Sequence, residues 1–502
     1  MRYNRPVDED FDARYRALLA RDARFDGVFY VGVSTTGIYC RPICTARTPR
    51  QERCTFFRSA VLAEQAGFRA CFRCRPEVAP GRGSVDAGSR LLAQAATRIE
   101  AGFLDTHSVD ELAAELGVTA RHLRRAMEAQ LGVSPLALAL SRRLAMAKRL
   151  LHDSQLGLAE LALASGFSSV RRFNAAFTAR FGRAPSMVRR KHGLSAAGAG
   201  LQLRLDARPP FDWPALLAFL SVRAAPGVEE VCGDEVRRVV ALDGAVGTVL
   251  VRGDAQWPRV WVELSSGLVP VVAALVPVLR RWFDLDARPE VINDGLRQDR
   301  LLAPLVRSRP GLRVPRALDP FELVCRAVLG QQVSVRAATT LAGRMVARWG
   351  APLPVRELRE LSQRRPGCTL SHRFPIAASV ASASVSELAA LGLPTRRAQT
   401  LAEVARAFTS GALASSATLD DDAFARALRA LPGIGDWTVQ YVLMRARGAP
   451  DAFPASDLGV RKALGGLSVK QVEQRSVRWR PWRAYAAMQL WASLGAPGRR
   501  TT

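Results

Sequence analysis

Five of the chain's eight cysteines fall between positions 40 and 74, and four of these form two close pairs, Cys40 with Cys44 and Cys71 with Cys74. The pattern C-x3-C-x26-C-x2-C is a donor set for one tetrahedral Zn2+ with four cysteine ligands. By spacing alone it fits a purely structural zinc knot equally. A second candidate for chemistry lies near the other end. LPGIGDWTVQY at 431–441 places Gly433 and Gly435 in a tight turn between two apolar helices, with Asp457 downstream in FPASDLGVRKAL. Turn amides at the start of the second helix, around Thr438, can donate to a DNA phosphate without reading sequence. An ordinary helical hairpin is the plainer reading of LPGIG. The remaining cysteines, Cys54, Cys232, Cys325 and Cys368, read as core thiols in apolar settings.

The elements that must position these groups change character along the chain. Residues 1–80 hold the cysteines. Residues 84–193 have apolar residues at helical spacing, interrupted by Gly117, Gly132, Pro135, Gly166, Gly182 and Pro185. Two helix-turn-helix patterns lie here. Ser108 and Thr119 cap the helices of the first, whose second helix carries Arg121, His122, Arg124 and Arg125. In the second, Arg171, Arg172 and Asn174 open the recognition helix, where side chains reach base edges, and Phe167, Phe173, Phe177 and Phe181 are core by spacing. SAAGAG at 195–200 looks like a linker. From 201, LQLRL, RRVVAL, GTVLVRG and RVWVEL alternate as strands of an antiparallel sheet, and from about 319 the chain is helical again.

A chain of 502 residues is too long for one core. Lys and Arg number 72 against 45 Asp and Glu, a net charge of +27, which favours a polyanionic partner and above all nucleic acid. Only four of those cations are lysines, so the arginine excess reflects a G+C-rich coding sequence as much as phosphate chemistry. The charge divides into +13 on residues 1–193 and +14 on the rest, as two independent DNA-binding units joined at SAAGAG would require. The start MRYNRPVDED has no apolar stretch of a secretory signal, and the richest apolar run, Leu268 to Leu279, holds two prolines. A cytoplasmic, nucleoid-associated protein without membrane contact is expected.

GVFYVGVSTTGIYCRPIC at 27–44, CTFF at 54–57 and AGFRACFRCRP at 66–76 resemble the zinc-binding amino-terminal module of the Ada family of alkylation-response proteins. The resemblance implies that Cys40 is both a zinc ligand and a sacrificial nucleophile that takes a methyl group from a methyl phosphotriester, while Cys44, Cys71 and Cys74 hold the metal. Arg41, Arg47, Arg69 and Arg73 are placed to grip neighbouring phosphates, the other reading being solvated surface arginines. The series ALASGFSS…F…F…FG.AP resembles the AraC-type activator domain.

The hairpin with Asp457 resembles the helix-hairpin-helix superfamily of DNA glycosylases. FDWPALLAFLSVRA at 211–224, FDLDARPEVIN at 283–293, RPGLRVPRALDPFELVCRAVLGQQVSV at 309–335 and RWRPWRAYAAMQLW at 478–491 follow its AlkA-type alkylpurine members. Asp457 is then the catalytic aspartate, stabilising an oxocarbenium-like state as an N-glycosidic bond breaks. Trp437, Tyr441 and Trp491 match the aromatic pocket, with Phe219 a contributor from the sheet, although singly each aromatic is more often core. Trp437 stands where bifunctional members carry a Schiff-base lysine, which implies a monofunctional, water-using enzyme. Leu458 replaces an aromatic after the aspartate, and Gln332 stands where an apolar wedge is expected. Carbonyls of Arg429, Leu431 and Ile434 are candidates for a monovalent cation.

The resemblances together imply a multidomain α+β protein: a zinc-binding methyl-acceptor module at 1–80, an all-α AraC-type double helix-turn-helix at 84–193, an antiparallel AlkA-like sheet domain at 201–300 and an all-α helix-hairpin-helix glycosylase at 301–495. They imply excision of alkylated purines such as 3-methyladenine, stoichiometric methyl transfer to Cys40 and activation of repair genes. The partners expected are double-stranded DNA, damaged and promoter, and RNA polymerase, with the protein a monomer. The alternative is a glycosylase whose front half only targets it to DNA.

Overall fold

The computed structural model describes residues 10–81, 90–154, 156–188, 201–413 and 421–494; SAAGAG lies outside them. The first unit is a four-stranded sheet in the order β3-β1-β2-β4, with β1 Tyr30–Val33, β2 Ile38–Cys40, β3 Cys54–Phe57 and β4 Arg69–Ala70. Strand β1 runs antiparallel to β2 and β3, whereas β2 and β4 are parallel with Tyr39 opposite Ala70. Parallel pairing brings like ends together and needs a crossover, supplied here by the helix Ala60–Gln65 with Ser59 as its cap. Cys40, ending β2, therefore meets Cys71, just past β4. That register is how two cysteine pairs separated by a long loop reach one point.

The helical segment follows its caps. Ser108 closes a capping box on Val109–Glu115, and Thr119 caps Ala120–Leu131. Leu158–Ala164 and Val170–Phe181, the latter capped by Ser169, repeat the layout. The long helix Pro135–Asp153 joins the two copies. Phe167, Phe173, Phe177 and Phe181 are buried.

The second sheet is antiparallel throughout, in the order β5-β9-β8-β7-β6, with β5 Leu201–Asp206, β6 Glu229–Cys232, β7 Glu235–Leu242, β8 Ala245–Gly253 and β9 Arg259–Leu264. Strand β6 does not alternate in sequence because Glu229 and Glu230 stand in it; they pair with Arg238 and Arg237 of β7. Cys232 ends this edge strand and is exposed, and Cys368 is half-buried, so of the four presumed core thiols only Cys54 and Cys325 are buried. Helices dominate from Val272 to Leu494 and include the hairpin of Asp421–Arg429 and Asp436–Val442. No helix among the described residues is long and apolar enough to cross a membrane.

Two independent units are not what the packing shows. One hydrophobic core runs from Tyr30 and Tyr39 through the second helix-turn-helix and the sheet to Leu490. Only the first helix-turn-helix and the immediate surroundings of the cysteines form smaller clusters of their own within the front half. Polar groups reinforce the junction. Arg208, fully buried after β5, donates to the carbonyls of Asp26 (3.1 Å), Gly81 (2.6 Å) and Asp286 (2.6 Å). The Gly81 amide returns a 2.6 Å bond to the Asp286 carboxylate. On the other side of the zinc module, buried Lys148 donates to the Cys71 carbonyl and the Glu77 carboxylate, both at 2.8 Å. Some of the charge in each half is thus spent inside the protein and not on DNA.

Candidate functional site

The sulfurs of Cys40, Cys44, Cys71 and Cys74 all lie within 4.8 Å of one another, and three of the four residues are buried. A tetrahedron with metal–sulfur bonds of about 2.3 Å has edges of about 3.8 Å, so the donors fit one zinc ion. Four thiolates this close would repel one another without a cation among them. Main-chain amides tune individual sulfurs. Arg73 N–H donates to Cys71 Sγ and Arg41 N–H to Cys74 Sγ, each at 3.4 Å. Among the described residues no N–H donor is seen on Cys40 Sγ.

The four neighbouring arginines divide. Arg47, Arg69 and Arg73 are exposed. Arg41 is a correction: only 1% exposed, it faces inward and grips no phosphate. Its guanidinium pairs with Asp26 (2.8 Å for one bond), with Asp206 (2.9 Å) and with the Cys74 carbonyl (3.1 Å). Burial alone would lower its pKa, but the two carboxylates hold it above the ordinary arginine value. On the helix Val170–Phe181, Arg171, Arg172 and Asn174 are exposed while Phe173, Phe177 and Phe181 are buried.

The second site is assembled from four separate elements. Asp457 caps Leu458–Ala463, accepting the Val460 N–H on Oδ1 at 2.9 Å. Trp491 Nε1 donates to the same oxygen at 2.8 Å, and Trp437 Nε1 to Oδ2 at 2.9 Å. Trp437 and Tyr441 lie one turn apart on their helix and stack at 5.3 Å with planes 8° apart. Phe219, from the helix Trp213–Ser221, lies 6.3 Å from Trp491 and nearly parallel to it. The aromatic box and the carboxylate are therefore one structure.

Two further residues join it. Arg445 donates to the Tyr441 hydroxyl at 2.8 Å and lies 4.8 Å from the Phe219 ring, while Arg223 stands 3.8 Å from the same ring. Burial would raise the Tyr441 pKa, yet Arg445, Arg223 and Arg326 hold it below the ordinary phenol value. Each of the two arginines that touch the box lies four residues past one of its aromatics, Arg223 after Phe219 and Arg445 after Tyr441. That helical spacing is the signal by which the sequence could have shown them.

Around the hairpin, Gly433 takes φ +82°, and a side chain there would collide with Thr400. Gly435 is open, with nothing near the place of its missing Cβ. The Thr438 side chain is 2% exposed, and its hydroxyl accepts from Gln331 Nε2 at 3.2 Å, which steadies the loop beside the hairpin. Gln331 also donates to the Gly433 carbonyl at 3.0 Å. Next to it Gln332 is exposed at φ +55°, on the tip between two helices. Of the three candidate cation carbonyls, that of Leu431 already accepts the Ile434 N–H at 3.1 Å.

These features define a class: a methyl-acceptor and helix-turn-helix protein fused to a base-excision glycosylase. Family models match in that order. They are the metal binding domain of Ada at 13–77, a helix-turn-helix domain at 112–191, the AlkA N-terminal domain at 202–319 and the HhH-GPD superfamily base excision DNA repair protein at 325–476. A Mycobacterium tuberculosis protein described as a probable bifunctional transcriptional activator/DNA repair enzyme AlkA is 38% identical over 98% of both chains. DNA-3-methyladenine glycosylase 2 of Escherichia coli is 34% identical over 58% of this chain and 97% of its own. The bifunctional transcriptional activator/DNA repair enzyme Ada of Escherichia coli is 37% identical over 25% of this chain and 34% of its own. The chain belongs to the family of bifunctional transcriptional activator/DNA repair enzymes in which Ada-type and AlkA-type parts are joined.

Proposed function

We propose that the carboxy-terminal half excises alkylated purines such as 3-methyladenine from DNA, with Asp457 as the catalytic carboxylate. The observation that carries this reading is the clamp on Asp457: two indole N–H groups and one main-chain N–H fix it at the wall of an aromatic box. Oδ1 accepts two of these bonds and Oδ2 only one, so Oδ2 keeps a lone pair for the sugar or a water. Ring alkylation makes the purine cationic and a good leaving group. As the bond breaks, positive charge grows on the sugar, and a carboxylate already held in place stabilises it without reorganising. The base departs as a neutral purine with the glycosidic electron pair, and water adds at C1′, its proton passing to the Asp457 carboxylate or to solvent. Trp437, Tyr441, Trp491 and Phe219 offer ring faces to the electron-poor flipped base, and Gln332 enters the vacated stack. The amides around Gly433 and Gly435 hold the backbone. Purified protein releases 3-methyladenine from methylated DNA in this reading, and Asp457→Asn cuts release by about 10²- to 10³-fold; full activity in that variant would refute the assignment.

In the front half, Cys40 Sγ attacks the methyl carbon of a methyl phosphotriester. A sulfur–carbon bond forms, and the carbon–oxygen bond breaks with its electrons returning to the phosphate. Cys40, Cys44, Cys71 and Cys74 would hold one zinc ion, which when bound keeps thiolates deprotonated at neutral pH. Arg47, Arg69 and Arg73 take the flanking phosphates, and Arg171, Arg172 and Asn174 read promoter bases. Methylation removes negative charge from the cluster, raises promoter affinity and turns the protein into an activator that engages RNA polymerase as a monomer. The division of labour follows residues 1–80, 84–193, 201–300 and 301–495. Cys40→Ala tests it: methyl transfer and methylation-dependent promoter binding are lost while base release remains. Sequence-specific binding that is indifferent to methylation would leave the front half a targeting module only.

A further inference from the structure

The most deeply buried ion pair between the two halves sits one residue from the methyl acceptor. Arg41 follows Cys40, and its three carboxylate and carbonyl partners come from both sides of the molecule: Asp26 and Cys74 from the zinc module, Asp206 from the last position of β5 in the sheet domain. The side chains of Arg41, Asp26 and Asp206 are 1%, 5% and 10% exposed. Asp206 is itself fixed, accepting from Arg204 Nε at 2.7 Å and Nη2 at 2.8 Å, while its carbonyl accepts from Arg280. Arg41 thus lies between two carboxylates, one from each side of the molecule. The same arginine meets Cys74 twice, through its amide on Sγ and its guanidinium on the carbonyl.

We propose that Asp206, a residue of the base-excision half, is a positioning residue for methyl acceptance at Cys40, acting through Arg41 on the Cys74 side of the cluster. The inference rests on the reading of Cys40 as the acceptor. Groups that hydrogen-bond to the ligands of a metal centre set ligand orientation and electron density. Without Asp206, Arg41 keeps only Asp26 as a charged partner, and Arg204 loses its own. The Arg41 guanidinium then lacks the anchor that the sheet domain gives it, and the residue whose amide donates to Cys74 Sγ is held from the zinc module alone. The sensor is in this sense completed by the enzyme.

The test uses the full chain. Asp206→Asn keeps the shape and removes the charge; Asp206→Glu restores it. Three quantities are followed: the rate at which Cys40 gains a methyl group from methyl phosphotriester DNA, read by intact mass; the thiolate-to-metal charge-transfer band after loading with Co2+; and release of 3-methyladenine. Asp206→Asn should slow methyl gain by about tenfold or more, shift the cobalt band, and leave base release within about twofold, with recovery in Asp206→Glu. Arg41→Gln should slow methyl gain similarly, and the double variant Arg41→Gln/Asp206→Asn should be no slower than Arg41→Gln alone. A wild-type rate and band in Asp206→Asn would overturn the proposal, as would fully additive losses in the double variant. Parallel loss of base release without rescue by Asp206→Glu would mark a purely structural residue and overturn it too. If the wild-type protein gains no methyl group at all, the reading of Cys40 fails and carries this inference with it; acceptance in the wild type with Asp206→Asn unchanged ends the inference alone.

Discussion

Cys40 and Asp457, the two groups proposed above to react, are met by N–H donors in opposite ways. Asp457 accepts all three of its donors directly, and both oxygens are engaged. Cys40 Sγ meets no N–H donor among the described residues, while its partners Cys71 and Cys74 do. The carboxylate must stabilise a charge that appears beside it without moving, so fixing it is useful. The sulfur must give up electron density to a carbon, and a hydrogen bond to it would hinder that. The difference teaches that preorganisation acts on the reacting atom itself in the enzyme and on its neighbours in the acceptor.

The widest contrast comes from exchanging losses. Cys40→Ala should abolish methyl gain and leave 3-methyladenine release unchanged, whereas Asp457→Asn should cut release by about 10²- to 10³-fold and leave methyl gain unchanged; single-turnover base release and intact mass measure the two. Each site was legible to a different degree. The cysteine spacing contains its own answer, because all four ligands lie between positions 40 and 74 and strand register does the rest. Asp457, its two tryptophans and Phe219 needed a resemblance to be gathered, since their helices meet only in the fold. The burial of Arg41 is illegible for the same reason: its partner Asp206 lies 165 positions away. No local pattern reports a contact of that span. Strand β6 was missed because its glutamates mask the alternation that the four longer strands display.

The halves can also be compared by what joins them. Arg208→Ala strands three buried carbonyls and should lower unfolding stability by about 3 kcal/mol, read from denaturant melts, with catalysis at either site intact in the folded protein. A smaller effect is expected inside the pocket. Trp437→Phe keeps a ring for stacking but removes one donor to a charged acceptor, worth about 1.5 kcal/mol, so base release should slow about tenfold. An effect that vanishes at neutral pH probes the acceptor side. Burial, reinforced by the charge on Arg75, pushes His152 down to about 4, and its ring packs against Phe72 with Nε2 unpartnered among the described residues. Between pH 6.5 and 4 the unfolded chain therefore binds a proton that the folded one refuses, and stability falls as pH drops through that window. His152→Phe should melt like the wild type above pH 7 and increasingly above it toward pH 5.

The pairing of Arg41 with Asp206 also bears on how such genes can be shuffled. A crossover that falls between codons 81 and 201 replaces the sensor while keeping the enzyme, and the new front half must then present a cation where Asp206 waits. A donor with a shorter or neutral side chain at position 41 leaves that carboxylate with Arg204 alone. Positions 26, 41 and 206 are thereby exposed to selection as one unit, although a recombination event treats them as two.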